Sequence, residues 1–221
     1  MERLQVDEKI DFQVKTKEDG IIYKFSKRLL DIICSLLGLI ILSPVLLIVA
    51  ILIKLESRGP VIYAHKRLGK NREFINIYKF RSMYENSKEI FDNFTEDQKK
   101  EYYENFKLEN DPRVTKIGSF IRKTSIDELP QLINVIKGDM SLVGPRPIVE
   151  AEIEKYGKYA DEFFSVIPGI TGYWQANGRS DTTYQERVKM DMYYINNKSL
   201  IMDLKIILKT IISVVKGEGA I

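Results

Sequence analysis

The chain has 221 residues, 44% of them hydrophobic, and a formal net charge of +3 at pH 7, which leaves room for one sizeable domain with its own core. One cysteine, Cys34, and one histidine, His65, exclude an internal disulfide framework and a zinc site made of Cys and His. A bound metal would therefore need oxygen ligands, as Mg²⁺ does.

The charges are distributed unevenly along the chain. Residues 21–81 contain eleven Lys or Arg and three acidic residues, whereas residues 84–113 are rich in acids. A basic region of this kind can bind anionic lipid head groups, phosphorylated substrates or nucleic acid. Because it flanks an apolar segment, the first two partners are favoured and nucleic acid is not expected.

The N-terminal part consists of a polar arm and an apolar segment. Residues 1–20 are charged and carry few apolar positions, which predicts a loosely held arm. Residues 32–53 contain no charge, and these 22 positions would extend about 33 Å as a helix, enough to cross a membrane once. A simple transmembrane helix is one interpretation of this segment.

A re-entrant helix, which enters and leaves on one side of the membrane, fits two further features. Pro44 lies at the midpoint, where it removes a backbone hydrogen bond and bends a helix, and the hydroxyl of Ser43 can satisfy the freed carbonyl. Basic residues flank both ends of the segment, which would place both flanks in the cytoplasm. These residues are Lys24, Lys27 and Arg28 before it and Lys54, Arg58, Lys66 and Arg67 after it. Asp31 is expected to pair with Lys27 or Arg28 at helical spacing.

Short β-prone runs follow the apolar segment. Residues 61–63 and 74–78 flank a polar turn at 69–71 and predict a β-hairpin. A cationic cluster lies on or near this turn, and a solvated basic surface is its simplest interpretation. The cluster comprises His65, Lys66, Arg67, Lys70 and Arg72.

Most of the remaining chain has helical patterns. Residues 85–110 predict one or two amphipathic helices with an aromatic stripe, and residues 148–166 predict a helix. Residues 168–180 predict a glycine-rich loop whose Trp174 suits a nucleotide-binding edge or a membrane interface. Two helices are predicted after residue 183, and the charges within the last one favour a position on or beside the membrane.

An acidic pair, Asp127 and Glu128, precedes Pro130. Because proline cannot lie deep in a helix, the helix should begin within a few residues of Pro130 and end at Gly138. The pair would then lie in the cap or first turn, where an ionised carboxylate can attack phosphorus or hold a metal. The spacing from Ser125 to Glu128 also fits a capping box, which needs no chemistry.

Two arginines lie near the acidic pair in the sequence. Arg122 precedes it, and Pro145 and Pro147 bracket Arg146 in the loop 140–147. Two prolines restrict the backbone and can aim a guanidinium at phosphate oxygens. A rigid turn with a solvated arginine is the alternative.

Five motifs together resemble the bacterial monotopic phosphoglycosyl transferases, the polyprenol-phosphate sugar-phosphate transferases of glycan and exopolysaccharide assembly. The likeness covers nearly everything from about residue 25 onward, and the chain is similar to the short form of the family. The motifs are KFRSM at 79–83, RKTSIDELPQL at 122–132, NVIKGDMSLVGPRP at 134–147, PGITGYWQANGRS at 168–180 and DMYYINNKSLIMDLKIILKT at 191–210.

The resemblance implies a mostly helical α+β fold with three parts. These are a polar arm at 1–20, a membrane-inserted re-entrant helix-break-helix at 21–58, and a catalytic domain at 59–221 with a small β-hairpin and interfacial amphipathic helices. It also implies a place at the bacterial inner membrane, among its lipids, with the catalytic domain on the cytoplasmic face.

The activity implied by the resemblance is transfer of a sugar 1-phosphate from a UDP-sugar to undecaprenyl phosphate with release of UMP. The family uses Mg²⁺ and a covalent phosphosugar intermediate, which places the nucleophile at Asp127 and makes Glu128 its partner in binding the metal. The implied substrate-phosphate ligands are Arg122, Arg146, Lys79 and Arg179. His65 stands where relatives commonly have glutamine in a QxRxG pattern, and it is assigned no role.

Two other functions fit parts of the sequence. A membrane-attached glycosyltransferase would release UDP instead of UMP, and a non-catalytic membrane assembly factor would use the acidic pair only as a cap. The sequence does not select the sugar. The family likeness of residues 168–180 implies a hexose such as galactose or glucose, and a modified or acetamido sugar is the alternative. It also leaves homo-oligomerisation open.

Overall fold

The computed structural model describes residues 20–105, 108, 110–178 and 182–216, so almost all of the predicted N-terminal arm lies outside the described residues. The described residues form a mostly helical α+β fold, as expected. The α-helices are α1 Ile21–Glu56, α2 Ser87–Asp92, α3 Glu96–Asn105, α4 Lys116–Lys123, α5 Gln131–Lys137, α6 Ala160–Phe164, α7 Tyr173–Asn177, α8 Tyr184–Asn197 and α9 Leu200–Val215. The strands are β1 Ile62–Leu68, β2 Phe74–Phe80, β3 Ser141–Val143 and β4 Gly169–Thr171, and short 3₁₀ helices occupy Lys70–Arg72, Ile126–Glu128 and Glu150–Tyr159.

Helix α1 runs without interruption through Pro44. The expected division into two helices with a break between them is therefore not observed. Pro44 has no N–H for the carbonyl of Ile40, and the Ser43 hydroxyl donates to that carbonyl at 2.8 Å. The predicted compensation by serine is confirmed, and it explains how the helix continues past the proline.

The surface of α1 is largely apolar and exposed. It is the one helix of the described residues that is long and apolar enough to cross a membrane. Its exposed residues include Ile33, Leu36, Leu37, Ile40, Ile41, Val45, Leu47, Ile48, Ile51, Leu52 and Leu55. An apolar surface of this extent is expected to contact lipid.

The N-terminal third of α1 is bound to the rest of the molecule by buried polar groups. Lys27 Nζ lies 2.9 Å from the Asp203 carboxylate of α9, and Arg28 donates to two carbonyls at the end of α5. Asp31 accepts the backbone N–H of Leu142 at 3.0 Å. The predicted direct ion pair of Asp31 with Lys27 or Arg28 is not observed among the described residues, because both cations bind groups from distant segments, although the charge of Lys27 still acts on Asp31.

The C-terminal end of α1 is also bound to the same body. The Glu56 carboxylate accepts the backbone N–H groups of Lys116 and Ile117, which begin α4. Arg81, which directly follows β2, donates to carbonyls at the end of α1, including that of Ser57 at 2.8 Å. These contacts satisfy backbone groups that helix ends leave unpaired.

The predicted hairpin is confirmed, with strands longer than the β-prone runs. β1 and β2 pair antiparallel, with Tyr63 opposite Lys79 and His65 opposite Ile77. Because side chains alternate along a strand, His65, Arg67 and Lys79 lie on one face of the hairpin.

Helix α5 is held against the edge of β2 by Asn134, which is fully buried. Its amide oxygen accepts the N–H of Tyr78 at 2.9 Å, and its amide nitrogen donates to the carbonyl of Asn76 at 2.7 Å. Asn134 thus satisfies two backbone groups of the strand edge and fixes the position of α5 relative to Lys79.

Strands β3 and β4 pair in parallel, with Ser141 opposite Gly169 and Val143 opposite Thr171. Two segments predicted as loops therefore contain regular structure, and 168–180 also contains α7. A strand of three residues is too short to show an alternation of apolar and polar side chains, so each of these strands is recognised only by its hydrogen bonds to the other. Residues 148–166 form the 3₁₀ helix Glu150–Tyr159 followed by α6, instead of one α-helix.

The main hydrophobic core lies where α6, α8 and α9 meet the 3₁₀ helix Glu150–Tyr159. The two helices predicted after residue 183 are confirmed as α8 and α9, and those predicted in 85–110 are confirmed as α2 and α3. One face of α9 packs inward, and the opposite face exposes Ile201, Leu204, Leu208, Ile211 and Ile212. This exposed face agrees with the predicted position beside the membrane.

Candidate active site

The acidic pair lies in the 3₁₀ turn Ile126–Glu128, between α4 and α5. Ser125 has a left-handed backbone with φ of 56° and its side chain makes no capping bond. The capping-box interpretation is therefore wrong. α5 begins only at Gln131, with Pro130 at its N-cap, so the pair precedes the helix instead of lying in its first turn.

The Glu128 carboxylate is bound by two cations. Its Oε1 atom accepts from Lys79 Nζ at 2.6 Å and from Arg146 Nη2 at 2.9 Å. Burial alone would raise the pKa of Glu128, but Arg146 and Lys79 outweigh it and hold that pKa well below its usual range. Glu128 is therefore ionised at neutral pH and fixed in orientation.

Asp127 has a different environment from its neighbour. Its side chain is 8% exposed and accepts no hydrogen bond from any residue that the structure describes. Burial raises the pKa of Asp127 to about 6, with Lys79 opposing the shift and Glu128 adding to it. At neutral pH the carboxylate is mostly ionised, and no hydrogen bond from the described part of the chain competes for its oxygens, as a nucleophile requires.

Arg122 reaches the site from the last turn of α4. Its Nε donates to the Ser82 hydroxyl at 2.8 Å. A Cβ at Gly118 would overlap the Ser82 carbonyl, so glycine is needed for α4 to approach this closely. Burial lowers the pKa of Arg122 while the charge of Asp127 raises it, and the guanidinium and this carboxylate act on each other.

The loop that carries Arg146 is held by backbone bonds on both sides. Gly144 donates to the carbonyl of Thr171 at 2.9 Å, and Gly169 donates to that of Pro145 at 2.9 Å. Because Arg146 is ion-paired with Glu128, the alternative of a solvated arginine on a rigid turn is wrong. The structure thus brings Lys79, Glu128 and Arg146 into direct contact and places Asp127 and Arg122 beside them.

A narrow cleft adjoins this cluster. It is lined by His65, Arg67, Ile77, Lys79, Gln131, Arg146, Pro147 and Gly169. Burial and the nearby cations lower the pKa of His65 to about 4, so its imidazole is neutral at pH 7. Arg67 and Gln131 were not predicted as site residues, although the strand alternation that aligns Arg67 with Lys79 was available in the sequence. Arg179, predicted as a ligand, lies outside the described residues.

The donor set near Asp127 suits a weakly held divalent cation. Within the described ranges, no group of three or more His, Cys, Asp or Glu could hold a metal by itself. Mg²⁺, however, is commonly bound by one or two carboxylates, with waters and substrate phosphates completing its shell. Asp127 and the Oε2 atom of Glu128, which has no hydrogen-bond partner among the described residues, fit that requirement.

Comparison with known proteins gives one family and several relatives. Residues 22–217 match the family model described as bacterial sugar transferase. The undecaprenyl-phosphate galactose phosphotransferase of Salmonella typhimurium is 46% identical over 200 residues, covering 89% of this chain and 42% of the relative. The UDP-glucose:undecaprenyl-phosphate glucose-1-phosphate transferase of Escherichia coli is 42% identical over 195 residues, covering 84% of this chain and 39% of the relative.

A third relative has a length similar to that of this chain. The exopolysaccharide production protein ExoY of Sinorhizobium fredii is 44% identical over 198 residues, which cover 88% of each chain. The chain thus spans less than half of the Salmonella and Escherichia relatives and most of the Sinorhizobium one.

Proposed function

Because the chain belongs to the bacterial sugar transferase family, we propose that it transfers a sugar 1-phosphate from a UDP-sugar to undecaprenyl phosphate, giving undecaprenyl-diphosphate-sugar and UMP. The names of the Salmonella and Escherichia relatives support this reaction class. One observation carries the proposal: two adjacent carboxylates have different surroundings. Asp127 accepts no hydrogen bond within the described chain, whereas Glu128 is bound to Lys79 and Arg146.

Asp127 is the proposed nucleophile. Its carboxylate oxygen forms a bond to the phosphorus that carries the sugar, and the phosphoanhydride bond to the nucleoside phosphate breaks, so that UMP leaves with the bridging oxygen. A phosphate oxygen of undecaprenyl phosphate then attacks the same phosphorus and the aspartyl oxygen departs, which regenerates Asp127. The covalent intermediate divides one displacement between two bulky anions into two steps.

The cations of the site reduce the repulsion between the carboxylate and the diphosphate. Arg146 is ion-paired with Glu128 and the charge of Arg122 acts on Asp127, and guanidinium groups at these places can bind phosphate oxygens in pairs. Asp127 and Glu128 would hold Mg²⁺, which supplies further neutralisation of phosphate charge. Lys79 keeps Glu128 ionised and is a further phosphate ligand.

The proposed location is the cytoplasmic face of the bacterial inner membrane, with α1 inserted as a re-entrant helix. Support comes from the two ends of α1, since Lys27 near one end and Glu56 at the other both bind the catalytic domain. A helix that bends at Pro44, with only its middle in lipid and both ends on one domain, can hold Asp127 near the lipid head groups. The acceptor phosphate would be found at the same height.

The test is a donor panel with detergent-solubilised full chain, undecaprenyl phosphate and Mg²⁺. UDP-galactose, UDP-glucose and UDP-N-acetylgalactosamine are compared by the nucleotide released, and we expect UMP with a hexose donor. Intact-protein mass spectrometry without acceptor should show a phosphosugar adduct that the Asp127→Asn variant lacks. Release of UDP would indicate a glycosyltransferase instead, and absence of any adduct or nucleotide product would leave the assembly-factor interpretation.

A further inference from the structure

We propose that Arg67 binds the phosphate group that leaves with the nucleoside, and that Glu152 is a positioning residue that holds the Arg67 guanidinium in the cleft. The inference rests on the proposed function, because it assigns a second anion contact within the same site. Arg67 belongs to β1 and is not one of the acidic pair or of the two cations bound to Glu128.

The backbone brings Arg67 close to Arg146. Leu68 donates to the carbonyl of Ile148 at 2.8 Å, and the two residues form an antiparallel bridge. The end of β1 is therefore joined to the chain two residues after Arg146. Since Arg67 shares the hairpin face of Lys79, both arginines and the lysine line the same cleft.

Glu152 is oriented by groups other than Arg67. Its Oε2 atom accepts the backbone N–H of Val149 at 3.0 Å, and its Oε1 atom lies 3.4 Å from the Tyr184 hydroxyl. Arg67 Nη1 donates to the same Oε2 atom at 3.3 Å. A carboxylate fixed in this way limits the rotamers of Arg67, whose side chain is 22% exposed.

The charges of the cleft favour an anionic ligand. Three cations, Arg67, Lys79 and Arg146, face two carboxylates, Glu128 and Glu152. After burial, the charge of Arg146 is the largest influence that lowers the pKa of Arg67, so the two guanidinium groups repel each other. A phosphate bound between them would relieve that repulsion and accept hydrogen bonds from both.

The position of Arg67 selects the phosphate that it contacts. Arg67 interacts electrostatically with Arg146 and with the carboxylates of Glu128 and Glu152. Arg146 is ion-paired with Glu128, the chain neighbour of Asp127, whereas Arg67 is ion-paired with Glu152. Both arginines line the cleft, so Arg67 is further along it from the nucleophile than Arg146 is. In a bound nucleoside diphosphate sugar, the group at that place is the phosphate next to the attacked one.

The experiment measures binding of UMP and of uridine to the full chain in detergent by isothermal titration calorimetry. For Arg67→Ala we expect about tenfold weaker UMP binding, the size of one charge-assisted hydrogen bond, with uridine binding unchanged. The KM for the UDP-sugar should rise by a similar factor while kcat changes less than about threefold. Glu152→Gln should give a smaller change of the same kind, because the neutral amide holds Arg67 less firmly.

Arg72→Ala is the matched control. Arg72 lies on the same hairpin and pairs with Asp161 at 2.6 Å on the exposed surface, and its loss should leave UMP binding and KM unchanged. If Arg67→Ala loses its cooperative melting transition, UMP binding is measured with Arg67→Lys instead. Lysine keeps the charge but lacks the planar guanidinium, so this variant should still bind UMP several-fold more weakly.

Two failures can be distinguished. If the unsubstituted chain binds UMP and the folded Arg67 variants bind it equally well, or if uridine binding falls as much as UMP binding, this inference is overturned and the proposed function stands. If the unsubstituted chain neither binds UMP nor releases it from any UDP-sugar, the proposed function fails and this inference fails with it.

Discussion

Two adjacent carboxylates in this chain are assigned different chemical states by their surroundings. Glu128 is bound by Lys79 and Arg146 and stays ionised, whereas burial raises the pKa of Asp127 to about 6. Paired acids whose pKa values are separated by environment are a common feature of active sites. This difference agrees with the proposed roles, in which Glu128 is an anchored charge and Asp127 is the nucleophile.

Asp127→Asn should abolish adduct formation and raise stability at neutral pH. The pKa of Asp127 is 3.8 in a model peptide and about 6 in the folded chain, so the folded state binds the proton more tightly. Its ionisation therefore costs folding free energy above pH 6, up to about 3 kcal/mol, and costs nothing below pH 4. We expect a higher melting temperature for the variant at pH 8 and an equal one at pH 4.

Glu128→Gln is the matched comparison for that measurement. The folded-state pKa of Glu128 is depressed, so its charge contributes stability above its ordinary pKa, and the variant should melt at a lower temperature at pH 8. A lower melting temperature for Asp127→Asn at pH 8 would contradict the assigned environment of Asp127.

The rate of adduct formation should depend on pH through Asp127. The carboxylate must be ionised to attack, so the rate should fall about tenfold for each pH unit below a midpoint near 6, and Mg²⁺ should lower that midpoint. The measurement is made without lipid acceptor, because a phosphate monoester also titrates near pH 6. A rate independent of pH between 5 and 8 would exclude Asp127 as the titrating nucleophile.

At the scale of elements, the site depends on how α5 and the Arg146 loop are fixed to strands. Asn134 substitutes for a neighbouring strand by bonding both Asn76 and Tyr78 of β2. The parallel pair of β3 and β4 fixes the loop that follows β3. These connections explain why Lys79 and Arg146 meet at one carboxylate.

Asn134→Ala should destabilise the fold by about 1–3 kcal/mol, because it leaves a strand N–H and a carbonyl without their partner in a part-buried position. The loss should appear as a lower melting temperature and as weaker UMP binding, since Lys79 is no longer held against Glu128. Asn93→Ala provides the control, because that amide bonds only a carbonyl of its own helix on the surface and its loss should cost less than about 0.5 kcal/mol. Equal melting of the two variants would show that Asn134 does not hold α5.

At the scale of the whole molecule, one long helix is joined to the rest of the described fold at both ends. A helix of 36 residues extends about 54 Å, more than the thickness of a hydrocarbon core. Lys27 binds α9 near one end, and Glu56 binds α4 at the other. A spanning orientation would place these two polar contacts of one domain on opposite sides of the membrane.

Substituted-cysteine labelling tests this topology. In a Cys34→Ser background, single cysteines at Lys24 and Arg58, both exposed, are treated in intact cells with a reagent that cannot cross the inner membrane. We expect neither to be labelled until the cells are opened, because a re-entrant helix leaves both flanks in the cytoplasm. Labelling of one flank alone in intact cells would establish a spanning helix.

The sequence by itself determined the features that depend on local pattern. These include the hairpin, the two helices in 85–110, the two helices after 183 and the long apolar helix. Ser43 bonding the carbonyl freed by Pro44 was also predictable, because the two groups lie within one helical turn. The predicted division into two helices at Pro44 is not observed, since that same bond lets the helix continue.

Only the tertiary structure decided which groups meet. Glu128 binds partners 49 and 18 residues away, and Asp31 bonds a backbone N–H 111 residues away, although cations stand one helical turn from it. Arg67 joins the cleft through a backbone bond to the loop after Arg146. Ion pairing, burial and the resulting pKa values depend on distances in space, and no local periodicity specifies the distance between segments that are far apart in the chain.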